Sequence, residues 1–368
     1  MCFSIVSPFF IFAIRLFPML RRFLVISIFL GLTATSLLAQ VSGRGTYQFL
    51  GLPTSARATA LGGKVVALDE SDLSLVAQNP SLLDSSMHNG LTLSYVNYYS
   101  DISYGTFSYA RSYGKLGTFA LGGQRIGYGS FPRADETGVQ SGTFTASEMA
   151  FSLSYSRIID TCFSVGVSFK PIYSHLESYT SWGIAFDFAG SYRSDNGLFS
   201  AGLIFRNVGS MIKSYTPGTY EPLPFEIIAG VSKKLAHAPF RFVITFQQLQ
   251  NMSLYYKTDD FTEESVFDES EKKSDGAMEK IGKEIISHVI LGAEFVPIRN
   301  FYLRFGYNYQ RRNELKIQEK ASAVGFSWGV GVKISKFHIS FSRATLHLVG
   351  ASTHFAISTD LDNFFKKY

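Results

Sequence analysis

Two short serine motifs are the residues whose type and spacing could support acyl-transfer chemistry. Ser112 and Lys115 fit the S-x-x-K spacing, and Ser194 opens an S-D-N triplet, in the chain order found in penicillin-binding enzymes. The S-x-x-K serine should begin a helix, whereas Lys115 and Ser194 both lie in predicted turns. The K-T-G triplet that completes the set does not occur in the sequence. We therefore predict no serine enzyme from this set.

The histidines and the glycine pairs predict neither a metal site nor a cofactor site. None of the seven histidines belongs to an H-E-x-x-H motif. His338, His347 and His354 are spread over two neighbouring predicted strands, where positions in a lumen or at its rim explain them. The pairs 62–63 and 122–123 lack the spacing of a phosphate-binding loop. We expect no catalytic residue, no metal and no cofactor; a barrel lipase with a Ser–His pair is the enzymatic alternative.

The elements that carry these residues are predicted β-strands. From Asn89 onward, apolar residues alternate with small or polar ones in segments of about ten residues, as in 163–170, 301–310 and 323–332. We predict fourteen strands, an even number typical of bacterial outer-membrane barrels. Their predicted ranges are 90–99, 102–112, 116–127, 147–158, 162–175, 181–193, 198–208, 225–235, 240–250, 286–296, 301–310, 322–334, 337–347 and 351–360.

The predicted connections sort by length between the two ends of the sheet, which favours a membrane barrel over a sandwich. With the N-terminus in the periplasm, the periplasmic turns are short, and 194–197 has strong hairpin-turn chemistry. The opposite connections 128–146, 209–224, 251–285 and 311–321 are long and are expected at the cell surface, with 100–101, 176–180 and 348–350 as short exceptions. The charged stretch 259–283 is predicted to be a mobile loop with a short helix over 278–286, and partner contact is the alternative.

The alternation of side chains along each strand predicts which residues face the lipid and which face the lumen. Trp182 and Tyr192 share an apolar phase ten residues apart, which places them roughly 25 Å apart along the barrel axis, as expected of two aromatic girdles. Arg343 falls on an apolar phase, so we expect either a bulge near Ser342 that turns it inward or a position near the outer headgroups. Charges of both signs on the inward phase predict internal salt bridges and a filled lumen: Lys170, Asp187, Arg206, Glu294, Arg304 and Lys333.

The chain divides into three predicted parts. Residues 1–39 have the basic, apolar and small-residue regions of a secretory signal peptide, with residues 1–18 as either an extended leader or an upstream start. Residues 40–88 contain turn and short-helix patterns and are predicted to plug the lumen or cover its mouth. Residues 89–368 form the barrel. The leader carries three arginines and no acidic residue, so the remainder has a net charge of about +2 against +5 for the whole chain, which predicts no nucleic-acid binding.

The segment 40–88 carries a resemblance to a known family. The run 47–63 and the following N-P-S-L-L at 79–83 resemble the PorV/PorQ family, the FadL-like outer-membrane barrels of the type IX secretion system in Bacteroidota. The L-P-T-S-A-R form is more similar to the PorQ branch than to the PorV branch. The residues that carry the resemblance are Leu52, Pro53, Ser55, Ala56, Arg57, Gly62, Gly63, Asn79 and Pro80.

This resemblance implies a fourteen-stranded outer-membrane barrel with an N-terminal segment inside it. It also implies a non-enzymatic role in the attachment complex, where such a barrel anchors a PorZ-like surface protein beside PorU-like and PorV-like components. That complex attaches secreted proteins to lipopolysaccharide, so outer-membrane lipid and lipopolysaccharide are the expected surroundings. The alternative function is that of a FadL-like transporter of hydrophobic molecules. The family provides no catalytic residue to carry over.

Overall fold

The computed structural model describes residues 45–68, 70–251, 277–314, 323–347 and 350–364. The predicted signal peptide and most of the charged stretch 259–283 lie outside these residues. Among the described residues, no helix is long and apolar enough to span a membrane.

Fourteen antiparallel strands form one closed barrel, which confirms the predicted fold class. Each strand pairs with its neighbours in the chain, and β1 pairs with β14 in a register that aligns Gly90 with Asp360. Closure leaves no strand edge unpaired. The strands are β1 Gly90–Tyr99, β2 Ile102–Ser112, β3 Thr118–Ala134, β4 Gln140–Asp160, β5 Phe163–Leu176, β6 Tyr179–Arg193, β7 Phe199–Lys213, β8 Glu226–Lys234, β9 Phe240–Phe246, β10 Val289–Ile298, β11 Phe301–Asn308, β12 Phe326–Ile334, β13 Phe337–His347 and β14 Gly350–Asp360.

Alternation along each strand separates an apolar outer surface from a buried inner one. In β1, Leu93 and Tyr95 are 48% and 57% exposed, whereas Ser94 and Val96, which alternate with them, are buried. Large apolar side chains exposed on the outside of a closed barrel suit contact with lipid, and small or polar ones suit the lumen. Arg343 keeps the outward phase because β12 and β13 pair without a shift from Phe337 to Ala344, so no bulge turns it inward.

The three longest connections between strands all lie at one end of the barrel. At the short-turn end, the connections 113–117, 161–162, 194–198, 235–239, 299–300 and 335–336 contain five residues or fewer. The opposite, long-loop end has the long connections 214–225, 247–288 and 309–325, together with four short ones, 100–101, 135–139, 177–178 and 348–349. Two of the long connections contain helices, α2 Ala277–Ser287 and α3 Tyr309–Glu314. The short helix predicted over 278–286 is confirmed, and it displaces the start of β10 from the predicted residue 286 to Val289.

The predicted long loop 128–146 is wrong, because most of it continues β3 and β4. Only 135–139 connect the two strands, and we call residues 128–146 the β3–β4 ribbon. Phe131 stacks on Phe144 across the ribbon, with ring centroids 5.3 Å apart. The side chain of Asp135 closes the turn by accepting hydrogen bonds from the backbone N–H groups of Thr137 and Val139, both at 2.9 Å. The glycine, proline and charged residues of this stretch predict a loop, but cross-strand pairing decides its structure.

Short helices precede the barrel, as the sequence predicts. They are α1 Ala56–Ala60 and the 3₁₀ helices Gln48–Gly51, Leu73–Leu75, Pro80–Leu82 and Ser85–Met87. Further 3₁₀ helices lie at Gly114–Leu116 and Leu361–Asn363. We call residues 45–88 the N-terminal segment.

Candidate functional site in the barrel lumen

The N-terminal segment packs against the inner wall so closely that several wall positions admit only glycine. A Cβ atom at Gly202 would lie 2.1 Å from the carbonyl oxygen of Val66, and one at Gly306 would lie 2.2 Å from the backbone nitrogen of Gly62. A Cβ atom at Gly166 would lie 2.4 Å from the carbonyl carbon of Pro80. Real side chains do not approach backbone atoms this closely. The backbone of the N-terminal segment therefore packs directly against the glycines of the wall.

Helix α1 is the element that positions Arg57, and the family-like motif supplies both of its ends. Ser55 caps its N-terminus, because its Oγ accepts hydrogen bonds from the N–H groups of Arg57 at 3.2 Å and Ala58 at 3.4 Å. Gly62 and Gly63 follow the helix with φ values of +102° and +107°, which favour glycine. A short, capped helix therefore holds Arg57 at a fixed place on the wall.

The remaining motif residues fasten other parts of the N-terminal segment. The Pro53 carbonyl oxygen accepts a 2.8 Å hydrogen bond from the hydroxyl of Tyr104 on β2. Asn79 is fully buried; its Nδ2 donates to the Val66 carbonyl oxygen at 2.7 Å, and its Oδ1 accepts from the N–H of Ser81 at 2.9 Å. The other members are buried or half-buried in the same segment: Leu52, Ala56 and Pro80.

A largely buried set of six charged residues joins the N-terminal segment to the wall. We call it the Arg57 cluster; it contains Arg57, Glu70, Asp72, Arg241, Glu294 and Arg304. Glu294, on β10, is fully buried and accepts hydrogen bonds from Arg57 at 2.7 and 2.8 Å and from the wall residue Arg304 at 2.8 Å.

The remaining ion pairs of the Arg57 cluster balance its charge. Arg57 also contacts Glu70 at 2.6 Å and Asp72 at 3.1 Å. Arg241, on β9, contacts Glu70 at 2.7 Å and Glu294 at 3.0 Å. Three guanidinium groups thus face three carboxylates, so the cluster is neutral and each member has a partner of opposite sign. Burial is tolerable for charges only when they are paired in this way.

Ionisation in the N-terminal segment follows from these contacts. Burial tends to lower the pKa of the Arg57 guanidinium, but the charges of Glu294, Glu70 and Asp72 outweigh it and raise that pKa well above its usual value. Burial tends to raise the pKa values of Glu70 and Asp72, but the neighbouring arginines outweigh it and lower both. Arg57, Glu70 and Asp72 are therefore charged at neutral pH.

A second polar group lies on strands β5 to β7 and confirms the predicted internal salt bridges. Lys170 contacts Asp187 at 2.5 Å, and its Nζ donates to Asn207 Oδ1 at 3.0 Å. The neighbouring Arg206 donates to the carbonyl oxygen of Leu50 in the N-terminal segment at 2.9 Å. Of the six charges predicted on the inward phase, only Lys333 lies exposed, at the short-turn end.

An apolar cluster surrounds the first residues of the N-terminal segment. Phe49 and Leu50 pack there with wall residues that include Val96, Tyr104 and Ile126. The half-buried side chains packed against this cluster are largely aromatic: Leu52, Tyr98, Ile102, Tyr128 and Tyr215. Hydroxyl groups remain paired, as when Tyr128 donates to Glu148 at 2.5 Å. This part of the lumen is therefore largely apolar.

The serines of the two enzyme-like motifs lie in turns or next to them. Ser112 ends β2, and its backbone N–H donates to His88 Nδ1 at 3.0 Å, while Lys115 lies in the following 3₁₀ helix. Ser194 Oγ donates to Asn196 Oδ1 at 2.7 Å within the turn between β6 and β7. The structure therefore does not bring the two motifs together, because β2 and β6 lie four strands apart in the barrel order.

The predicted histidines also take structural positions. His354 is buried and its Nδ1 lies 3.1 Å from Thr59 Oγ1 of helix α1. His338 packs against Tyr302, with ring centroids 5.4 Å apart. The side chain of His347 lies outside the described residues. Within the part of the chain that the structure describes, no group of three His, Cys, Asp or Glu residues could hold a metal ion.

The two girdle candidates lie on the outer face of β6. Trp182 is 51% exposed and packs against Tyr173, with centroids 4.7 Å apart. Tyr192 packs against Phe163 at 5.0 Å. Pairing between β5 and β6 runs without a shift from Tyr192 to Tyr179, so both aromatic pairs share one face of the wall.

Comparison with known proteins gives matches in structure only. No protein-family model matches the chain, and a comparison with curated proteins finds no match. A deletion mutant of the TodX monoaromatic hydrocarbon channel aligns with a TM-score of 0.50 and 11% identity, over 83% of this chain and 97% of that one. The Pseudomonas putida toluene transporter TodX gives 0.48 and 11%, over 83% and 96%. A Pseudomonas aeruginosa FadL homologue gives 0.43 and 9%, over 83% and 98%.

Two of these structural neighbours are forms of the TodX channel or transporter, and the third is a FadL homologue. At 11% identity, the match with the TodX deletion mutant shows the fold alone. The chain therefore has a barrel fold similar to that of this hydrocarbon channel.

Proposed function

We propose that the protein is a non-enzymatic outer-membrane barrel that anchors a surface protein, in the manner of the PorQ-type component of the type IX attachment complex. The observation that carries the proposal is the N-terminal segment inside the lumen, held by the Arg57 cluster. A conduit needs a path through its wall or lumen, whereas here the segment and wall are joined by buried ion pairs and by backbone contacts against glycine.

The outer surface and the loops support the same role. The apolar, aromatic-rich outer face suits lipid, and the long-loop end offers projecting structure that could hold a partner. The β3–β4 ribbon extends beyond the neighbouring strands, and its residues 129–145 are largely exposed. Arg133 on the ribbon pairs with Glu177 at 2.8 Å, which ties it to the adjacent hairpin. We propose that a PorZ-like protein binds at this end, next to PorU-like and PorV-like components and lipopolysaccharide.

Co-purification tests the proposed anchoring role. Three barrels would be isolated from detergent-solubilised outer membranes. They are the wild type, a ribbon variant in which residues 130–143 are replaced by a two-residue turn, and a variant with altered residues 195–197. We expect a PorZ-like surface protein to accompany the wild type and the 195–197 variant but not the ribbon variant. Equal recovery of the surface protein with all three barrels would exclude the β3–β4 ribbon as its binding site. Recovery of the surface protein with none of them would exclude the anchoring role.

Passage of a hydrophobic molecule is the second candidate function, and the apolar cluster around Phe49 favours it. Its aromatic side chains at the long-loop side would suit a small hydrocarbon such as the toluene named for TodX. Growth or uptake assays with a deletion strain would test it directly. Loss of hydrophobic-solute uptake, with surface proteins still attached, would establish transport in place of anchoring.

A further inference from the structure

A cavity of about 490 Å³ opens at the short-turn end of the barrel. It lies between the N-terminal segment and the ends of β1 and β11–β14, and we call it the mouth cavity. Its volume falls within the range of small-molecule sites. The anchoring role proposed above makes no use of it, because the partner is placed at the opposite end.

Two side chains that line the mouth cavity each have a buried nitrogen atom with no hydrogen-bond partner among the described residues. One is Nη2 of Arg304, whose side chain is 1% exposed, and the other is Nε2 of His338. Arg304 uses its Nε for Glu294, so the remainder of the guanidinium group is not saturated by that ion pair. A buried guanidinium N–H without an acceptor is costly, which favours the entry of a ligand that supplies one.

The two nitrogen-bearing groups converge on one spot. A Cβ atom at Gly331 would lie 2.7 Å from Arg304 Nη1 and 3.2 Å from His338 Nε2. Both groups also rest on the ring of Tyr302, the guanidinium carbon at 5.2 Å and the imidazole centroid at 5.4 Å from its centroid. The absence of a side chain at Gly331 lets the two groups lie side by side. A single oxyanion could therefore accept from both, with the His338 proton on Nε2.

The charge around the mouth cavity favours an anion. Four cationic side chains line it against three carboxylates. Arg57, Arg304, Glu70 and Asp72 belong to the neutral Arg57 cluster, so the charges that remain are Lys333 and Lys336 against Asp360.

The carboxylates that face the mouth cavity are already engaged. The two from the N-terminal segment pair within the Arg57 cluster, and Asp360 accepts from the N–H of Asp362 at 2.9 Å. Lys333 and Lys336 are exposed at the rim, where they would draw an anion inward.

We propose that the mouth cavity binds a phosphate group, with Arg304 and His338 as donors and Lys333 and Lys336 as rim charges. A guanidinium fork and a phosphate match in geometry and charge. The cavity exceeds the volume of one phosphate ion, so the group can belong to a larger molecule. Two sources share this chemistry: a soluble phosphorylated compound, and the headgroup of a phospholipid at the rim of the barrel.

Titration of the full-length protein with inorganic phosphate, in phosphate-free dodecyl maltoside micelles, tests the site by calorimetry. We expect saturable binding that weakens about tenfold in Lys333→Gln/Lys336→Gln and about tenfold in His338→Phe, which loses the donor but keeps the ring on Tyr302. The matched control is Lys233→Gln/Lys234→Gln, which removes two exposed lysines at the same end but away from the cavity and should bind phosphate as the wild type does.

A second titration with phosphatidylglycerol distinguishes the two sources. Competition by phosphatidylglycerol but not by diacylglycerol would support a lipid headgroup, and phosphate binding without such competition would support a soluble ligand. Absence of phosphate binding, or equal affinity in wild type, cavity variants and the lysine control, would overturn the proposal.

Discussion

Replacement of Arg57 by glutamine should release the N-terminal segment without opening the barrel. Arg57 makes four charge-assisted contacts, two with Glu294 and one each with Glu70 and Asp72, between 2.6 and 3.1 Å. The substitution leaves three carboxylates facing only Arg241 and Arg304. The strands keep their own hydrogen bonds around the closed sheet. The substitution should therefore destabilise the docking of the N-terminal segment and leave the barrel wall intact.

The expected magnitude follows from burial. Breaking a buried ion pair by removing one partner costs about 3–5 kcal/mol, because the remaining charge is left uncompensated. At about 1.36 kcal/mol for each tenfold change, the equilibrium between docked and released segment should shift roughly 100- to 5000-fold. Arg57→Lys should give a smaller shift, because an ammonium group keeps the charge but cannot reach three carboxylates with a planar fork.

Hydrogen exchange followed by mass spectrometry measures this shift in peptides from 45–88. Exchange in these peptides should accelerate by the stated factor in Arg57→Gln, while peptides from the strands and heat-modifiable gel mobility stay unchanged. The matched control is Arg133→Gln, which removes an ion pair with Glu177 that is exposed on both sides and should leave exchange in 45–88 unaltered. Wild-type exchange in Arg57→Gln would refute the claim that the Arg57 cluster holds the segment.

Three further predictions concern packing, pH and topology. Gly306→Ala should release the N-terminal segment, because its Cβ would overlap backbone, whereas Gly105→Ala, whose Cβ has no neighbour within 3.4 Å, should leave hydrogen exchange in 45–88 unchanged. The pKa values of Glu70 and Asp72 lie below their ordinary 4.5 and 3.8, so docking of the N-terminal segment should be constant above about pH 4.5 and weaken as the pH falls through the lowered values. Hydrogen exchange in 45–88 that is equal at pH 3 and pH 7, after correction for intrinsic rates, would contradict this. Epitope tags inserted in 135–139 should bind antibody on intact cells and tags in 194–198 should not; the reverse pattern would invert the orientation.

Strand positions were largely predictable because the alternation of side chains has a direct physical cause. A residue in a barrel wall faces either lipid or lumen, so Leu93 and Ser94 must differ in type. The β3–β4 ribbon escaped prediction because it extends beyond the neighbouring strands, where both faces are exposed and no apolar phase is required. Its register depends on cross-strand contacts such as that of Phe131 with Phe144, which a single strand does not reveal.

The lumen site was predictable only in part. Arg57, Glu294 and Arg304 were singled out by motif or by phase, but Glu70, Asp72 and Arg241 were not. Their pairing depends on the path of the N-terminal segment. The glycines on the inward phase were an available signal: Gly202 and Gly306 lie on inner faces where a packed backbone is the reason for a missing side chain.

The fate of surface proteins in a deletion strain tests the anchoring role most directly. Culture medium, surface fractions and uptake of a hydrophobic solute such as toluene would be compared between the wild type, the deletion strain and the complemented strain. The account predicts that the deletion strain releases the PorZ-like protein into the medium, leaves secreted cargo unattached and takes up the solute as the wild type does. Surface proteins that stay attached while solute uptake is lost would contradict it.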